Sequence, residues 1–387
     1  MHRTVPLRPA GGDPILPLMK PIAMLDLGGE LALFRDGIRA GLDTVLDSRQ
    51  FVLGPKAEEL ERRVAAYSQC DRGVAVSSGT DALLCCLMAA GVGHGDEVIT
   101  TPFTFFATAG CIHRVGARPV FVDIESDTFN LDVSQVQAAI TPRTKALLPV
   151  HLFGQCADVD DIRTIADRRG LAVIEDAAQA IGATHRGRRA GSLGTAGCLS
   201  FYPTKNLGGF GDGGMVLTND VAFADRCVRL RNHGETRRYH HECVGGNFRL
   251  DAFQAAVLLV KLDRLEEFTT ARQANAARYD ELLSGLSVQT PRVRDYNVSV
   301  YHQYSILCNR RDALVEHLRR AEIQCGIYYP VPLHLQECFA YLGHSRGDFP
   351  RTEAAAERIL SLPVHPLLKP ADIDHVAERI AEFCNCR

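Results

Sequence analysis

"KALLPVHLFGQCADVDDIRTIADRRGLAVIEDAA", residues 145–178, begins and ends in apolar runs rich in Leu, Val and Ile. Between them, "DVDDIRTIADRRG" repeats its apolar residues at helical spacing. Strand, helix and strand at this spacing form a βαβ unit with parallel strands. The rhythm continues upstream. "GVAVSS" (73–78), "DEVITTP" (96–102) and "RPVFVDI" (118–124) read as strands. "TDALLCCLMAAGV" (80–92), "FTFFATAGCIHRVG" (103–116) and "DVSQVQAAI" (132–140) read as the helices between them. The pattern predicts an α/β fold, a mainly parallel sheet with helices on both faces. In such sheets chemistry gathers outside the carboxyl ends of the strands.

Around this centre, residues 1–20 are rich in Pro and Gly and are expected to be a mobile lead-in. "ELALFRDGIRAGLDTVLDS" (30–48) and "KAEELERRVAAYSQC" (56–70) predict two helices, and 250–286 a long helix or a broken pair. The large domain is expected over 21–265 and a smaller α+β domain over 266–387. A net charge of −3 with 23% charged residues gives no basic excess for nucleic acid. The arginines at 186, 188 and 189 and at 237–238 read as solvated surface. Thirteen cysteines without a CxxC pair read as reduced thiols of a cytoplasmic protein. Neither a signal peptide nor a run of roughly 20 apolar residues is present, so no membrane role is expected.

Four strand ends carry the candidate chemistry. Ser77, Ser78, Gly79 and Thr80 stand where a strand turns into a helix, which suits either an anion or an ordinary helix cap. Asp176 closes an apolar strand, where a carboxylate requires a partner: a salt bridge, a metal or a protonated ring nitrogen. No His, Asp or Glu accompanies it at ligand spacing, and adjacent His240 and His241 point apart, so no metal is expected. Of Phe103, Phe105 and Phe106, two are expected in the core and one is free to stack on a planar ligand.

The fourth is Lys205 in "LSFYPTKNLGGFGDGGMV" (199–216). Its glycines follow the lysine, so it is no NTPase phosphate loop, and they lead into a strand rather than the helix a dinucleotide fingerprint opens. What remains is a lysine in a tight turn that either neutralises a carboxylate or bonds covalently to a cofactor. A phosphate grip, a stacking ring, a buried Asp and such a Lys are together the contacts that pyridoxal 5'-phosphate requires.

With "SSGTDAL", "TPFTFFATA", "EDAAQAIGA", "SFYPTKNLGGFGDGG", "RNHG", "GGNFRLDAFQAAVL" and "YPVPLH" in this order, the chain resembles the DegT/DnrJ/EryC1 family of sugar-nucleotide aminotransferases. The resemblance implies the pyridoxal-phosphate transferase fold type I with a seven-stranded sheet. It implies Lys205 as the Schiff-base lysine and Asp176 as the partner of the pyridine nitrogen. Phe105 is implied as the stacking ring, Gln179 beside the 3-hydroxyl, and Gly79, Thr80 and Ser200 at the phosphate. Asn247 is implied to reach the phosphate of the other subunit in a homodimer with shared active sites. Arg249, Tyr328 and Tyr329 are implied as substrate contacts; many relatives have His where Tyr328 stands. The implied reaction moves an amino group from an amino acid, by analogy glutamate, to a nucleotide-linked keto sugar, at C3 on the pattern of "YYPVPLHLQECFAYLG" (328–343). The alternatives are amination at C4, a sugar dehydratase, which has His for the lysine, and a regulator that binds without turnover.

Overall fold

The βαβ rhythm builds one seven-stranded sheet. Its strands are β1 (Arg72–Val76), β2 (Glu97–Thr100), β3 (Arg118–Phe121), β4 (Thr144–Leu147), β5 (Ala172–Asp176), β6 (Ala196–Ser200) and β7 (Gly214–Thr218). The computed structural model describes residues 21–385, and the expected lead-in over 1–20 lies outside the described residues. Strand order is β1-β7-β6-β5-β4-β2-β3. β7 is antiparallel to both its neighbours, and every other adjacent pair is parallel.

Successive residues of each strand enter opposite cores. On β5, Val173 enters the core that also holds Leu60 and Val64 of α2 (Pro55–Tyr67), Val159 and Ile162 of α6 (Val159–Asp167), and Leu258 of α8 (Ala252–Leu262). Ile174 faces the other way, toward Leu83 and Leu87 of α3 (Gly79–Ala89), Ile112 of α4 (Ala107–Arg114) and Phe223 of α7 (Val221–Leu230). Burial on both faces is why these strands read as continuous apolar runs. The remaining helix of this part, α1 (Leu27–Ser48), packs on α8, and α5 (Val133–Ala139) packs on α6.

A separate core forms from the C-terminal third. Tyr279 of α9 (Leu265–Leu282), Ile306 of β8 (Tyr304–Leu307), Leu314 of α10 (Arg311–Arg320), Leu360 of β9 (Ile359–Leu362) and Ile380 of α12 (Pro370–Asn385) are all buried in it. α11 (Pro350–Arg358) leads into β9. The helical run over 250–286 is a broken pair, interrupted at Asp263–Arg264.

Two expectations are corrected. The helix expected from Phe103 begins only at Ala107, because Thr101 Oγ1 accepts the Phe103 N–H (3.1 Å) in a tight turn that drops Phe103 into the core. Only Phe103 is core: Phe105 is 58% exposed and Phe106 47%. All cysteines among the described residues are free thiols. Among the described residues no helix is long and apolar enough to cross a membrane.

Candidate active site

The carboxyl edge of the sheet brings three turns together. The strand pairing sets Val76 opposite Gly214, Gly214 opposite Ser200, and Asp176 opposite Cys198. Gly79 is there because nothing larger fits: a Cβ at that position would stand 2.7 Å from Ser200 Cβ. Gly214 is as tight, its Cβ position lying 2.4 Å from the Ser78 carbonyl. Ser78 caps α3, accepting the Asp81 N–H (3.0 Å) and donating to Asp81 Oδ2 (2.9 Å), so its hydroxyl is already engaged. The N–H groups of Gly79 and Thr80 and the Thr80 hydroxyl have no partner among the described residues. Together with the helix dipole they form an anion seat beside Ser200.

Asp176 is buried at the end of β5. Its Oδ2 accepts from Thr108 Oγ1 (2.7 Å) and its Oδ1 from the Ala178 N–H (3.2 Å). Burial raises its carboxyl above the usual range, against the pull of these bonds and of the nearby Lys205 and His151. Lys205 projects from a turn closed by its N–H to Tyr202 O (2.8 Å). Burial lowers its amine to about 8, and Asp176 opposes that shift. Its Nζ makes no hydrogen bond or ion pair among the described residues. A carboxylate and an amine thus share one recess without neutralising each other in contact.

Gln179 and Tyr329 form the next wall. Gln179 Oε1 accepts the Phe153 N–H (2.8 Å) and Nε2 donates to the Tyr329 hydroxyl (3.1 Å). Burial raises the Tyr329 phenol, with the Asp176 charge adding to the rise. The Tyr329 ring lies 6.3 Å from that of Phe105 and 6.0 Å from that of Tyr328, across a cis peptide bond. A cleft of about 360 Å³ opens beside Thr80, Phe105 and Phe106.

Asn247 and Arg249 flank Phe248, whose carbonyl accepts the Ser77 N–H (2.9 Å) just before the anion seat. Arg249 pairs with Val76 on the outer side of β1, four strand spacings from Asp176, roughly 19 Å across the sheet. Its guanidinium donates to Asn247 Oδ1 (3.0 Å) and Asn232 Oδ1 (2.8 Å) and meets no carboxylate among the described residues. Within one chain, then, Asp176, Lys205, Gln179 and Tyr329 come together, as do Gly79, Thr80 and Ser200, and the Asn247–Arg249 segment lies beside the strand that leads into the second group, away from Asp176.

Two contributors were not anticipated from the sequence. Thr108 holds Asp176 from across the sheet edge, and His302 stands near Lys205, whose charge it feels. Neither carries a local signal: a Thr in a helix and a His before a strand are unremarkable until the fold is closed.

The donor set suits pyridoxal phosphate: among the described residues it offers an anion seat with unspent N–H groups, a buried carboxylate lacking a cation in contact, and an unpartnered amine of lowered basicity. Fold and site together define a pyridoxal-phosphate enzyme of fold type I. The family model of the DegT/DnrJ/EryC1/StrS aminotransferases matches residues 35–381. A Geobacillus stearothermophilus protein described as a pleiotropic regulatory protein is 50% identical over 365 residues, covering 94% of this chain and 98% of that one. The UDP-2-acetamido-2-deoxy-3-oxo-D-glucuronate aminotransferase of Pseudomonas aeruginosa is 45% identical over 352 residues, with 91% and 97% covered. The crystal structure of S. venezuelae DesV in complex with a ketimine intermediate matches at TM-score 0.93 and 42% identity, covering 95% of this chain and 100% of that one. The chain belongs to the DegT/DnrJ/EryC1/StrS aminotransferase family and is a pyridoxal-phosphate-dependent aminotransferase.

Proposed function

We propose that this enzyme transfers an amino group from an amino acid, with glutamate as donor, to C3 of a nucleotide-linked keto sugar, as a cytoplasmic homodimer with shared active sites. The single observation that carries the reading is the unpartnered Lys205 amine in the same recess as the buried Asp176 carboxylate. The sugar-nucleotide acceptor and the C3 position rest on the P. aeruginosa relative, whose name specifies a 3-oxo sugar nucleotide. Residues 21–265 are assigned as the cofactor-carrying part and 266–387 as the smaller domain.

Bound pyridoxal phosphate supplies a carbonyl that exchanges amines and a ring that accepts electron density. Gly79, Thr80 and Ser200 hold its phosphate. Asp176, steadied by Thr108, keeps a proton on the ring nitrogen, because a buried carboxylate is stabilised by a cation against it. Gln179 would meet the edge of the ring, and Phe105 would be the residue to cover a face. Lys205 Nζ would hold the group covalently, and as a free amine, lowered to about 8 by burial, it would take up and return a proton. Asn247 extends to the phosphate of the partner's site, and Arg249, which meets no carboxylate among the described residues, receives an anionic group of donor or acceptor. Tyr328 and Tyr329 bound the sugar.

The regulator reading follows the description of the G. stearothermophilus relative. Binding alone requires neither a lysine of lowered basicity nor a carboxylate buried beside it, so the site favours turnover. The test is to supply glutamate with a panel of UDP- and dTDP-linked 3-keto and 4-keto sugars and score amine gain by mass. Amination of a 3-keto sugar with release of 2-oxoglutarate is expected. Amination of 4-keto sugars alone would overturn the C3 assignment, and no amination with any pair would overturn the reading.

A further inference from the structure

The turn that carries Lys205 is held from two sides. From α8, Lys261 Nζ donates to Gly208 O (2.7 Å) and Gln254 Oε1 accepts the Phe210 N–H (2.8 Å). From the other side, Asn206 Nδ2 donates to Val300 O (3.1 Å), and Asn206 Oδ1 faces His302 Nδ1 at 3.2 Å. An amide oxygen only accepts, so His302 Nδ1 carries the proton and Nε2 keeps a lone pair. That Nε2 has no partner among the described residues.

The segment bearing His302 is fixed on both flanks. Val300 N donates to Gly154 O (3.0 Å) and Gln303 N to Phe153 O (3.3 Å). Arg272 Nη1 donates to Tyr301 O (3.3 Å) and Gln273 Nε2 to Ser299 O (2.9 Å). Gly154, at φ +105°, permits this approach, since a Cβ there would lie 2.9 Å from His302 N. Burial, with the charges of Lys205 and Arg272, keeps the imidazole well below the ordinary histidine range and therefore neutral. The charged and titratable groups that bear on this corner include Asp176 from β5 with His151 and Tyr329 beside it, Arg272 from α9, Lys261 from α8 paired with Glu30 of α1, Lys205 and His302 itself.

We propose that His302 is a positioning residue for Lys205: aimed by Asn206, it walls the amine with a polar but uncharged group and leaves Asp176 as the fixed counter-charge. The proposal rests on Lys205 being the cofactor lysine. A carboxylate in place of the imidazole would give the amine a second counter-charge and hold its proton to higher pH.

The test is competitive acetylation of the apoenzyme from about pH 6 to about pH 11, read at Lys205 by peptide mass spectrometry with exposed Lys145 as reference. Wild-type Lys205 is expected to be half-reactive near pH 8. His302→Glu is expected to raise that midpoint by about one pH unit, a tenfold loss of free amine near neutrality. His302→Gln, neutral and able to donate to Asn206, is expected to stay within about half a unit. If the Glu variant does not fold, Asn206→Asp puts the charge at the other end of the bridge and is expected to shift the midpoint the same way. An unmoved midpoint in a folded carboxylate variant overturns the proposal, as does an equal shift in His302→Gln. Failure of wild-type holoenzyme to show the cofactor on Lys205 after borohydride reduction would instead sink the functional reading.

Discussion

Thr108 Oγ1 donates to Asp176 Oδ2 at 2.7 Å, tying the first turn of α4 to the end of β5. The Thr104 hydroxyl lies 3.0 Å from that of Thr108. The one proton of Thr108 is committed to the carboxylate, so Thr104 must donate to Thr108. The result is a two-step donor chain, running from the loop that presents Phe105 into the carboxylate. It works against burial, which drives the same carboxyl toward its neutral form.

Removing that donor tests its weight. A hydrogen bond to a charged group contributes about 1.5–3 kcal/mol. Thr108→Val, which preserves shape, should lower kcat roughly ten- to hundredfold at this magnitude. The affinity of the apoenzyme for pyridoxal phosphate should weaken, measured by equilibrium dialysis. Thermal stability should change little by comparison, and a variant with unaltered kcat and affinity would show that Asp176 needs no help from Thr108.

Lys205 makes apoenzyme stability depend on pH in a defined sense. Its folded-state value is lowered to about 8, while the unfolded chain titrates at about 10.4. Between these values the unfolded state binds more protons, so wild-type stability rises with pH across the window. Below about pH 8 the full cost of burying the charged amine is present. Lys205→Met should therefore stabilise the apoenzyme near neutral pH, by on the order of 2 kcal/mol after allowance for partial exposure. The gap in Tm between variant and wild type should close as pH approaches 10. A gap that stays constant with pH would refute the assignment of a buried, weakly basic amine.

Gly79→Ala should be harmful although alanine ordinarily favours a helix. The new methyl would stand 2.7 Å from Ser200 Cβ, and overpacking of this kind costs about 1–3 kcal/mol. Because the clash separates the two sides of the anion seat, cofactor affinity should fall about tenfold or more along with Tm. Calorimetric titration of pyridoxal phosphate into the apoenzyme distinguishes this from a loss of stability alone.

Asn247 and Arg249 lie far across the sheet from Asp176 yet beside the Ser77 end of their own chain's anion seat, so a mixing experiment decides which subunit's site Asn247 serves. Lys205→Ala and Asn247→Ala should each be inactive as pure preparations. If a site takes Lys205 from one subunit and Asn247 from the other, random heterodimers regenerate one intact site, and about a quarter of wild-type activity should return on co-refolding. Mixtures as inactive as their parents would show that each chain builds its site alone.

Much of this molecule is legible in one dimension because local periodicity carries it. The apolar runs of β1, β2, β4 and β5 announce a sheet buried on both faces, and the placement of Asp176 and Lys205 after such runs puts them at its reactive edge. Where a short-range rule competed with a long-range one, the local reading failed. The segment from Phe103 has helical spacing, yet a turn at Thr101 and the pull of the core on one ring delay the helix to Ala107.

Sequence alone determined the fold class and singled out Lys205 and Asp176 as candidates, since each depends on residue type and spacing within a few dozen positions. Only the tertiary structure decided which groups tune them. Thr108 meets Asp176 across 68 positions, His302 meets Asn206 across 96, and Tyr329 meets Gln179 across 150. Contacts of that range follow from strand order and packing, which no local pattern of side chains encodes.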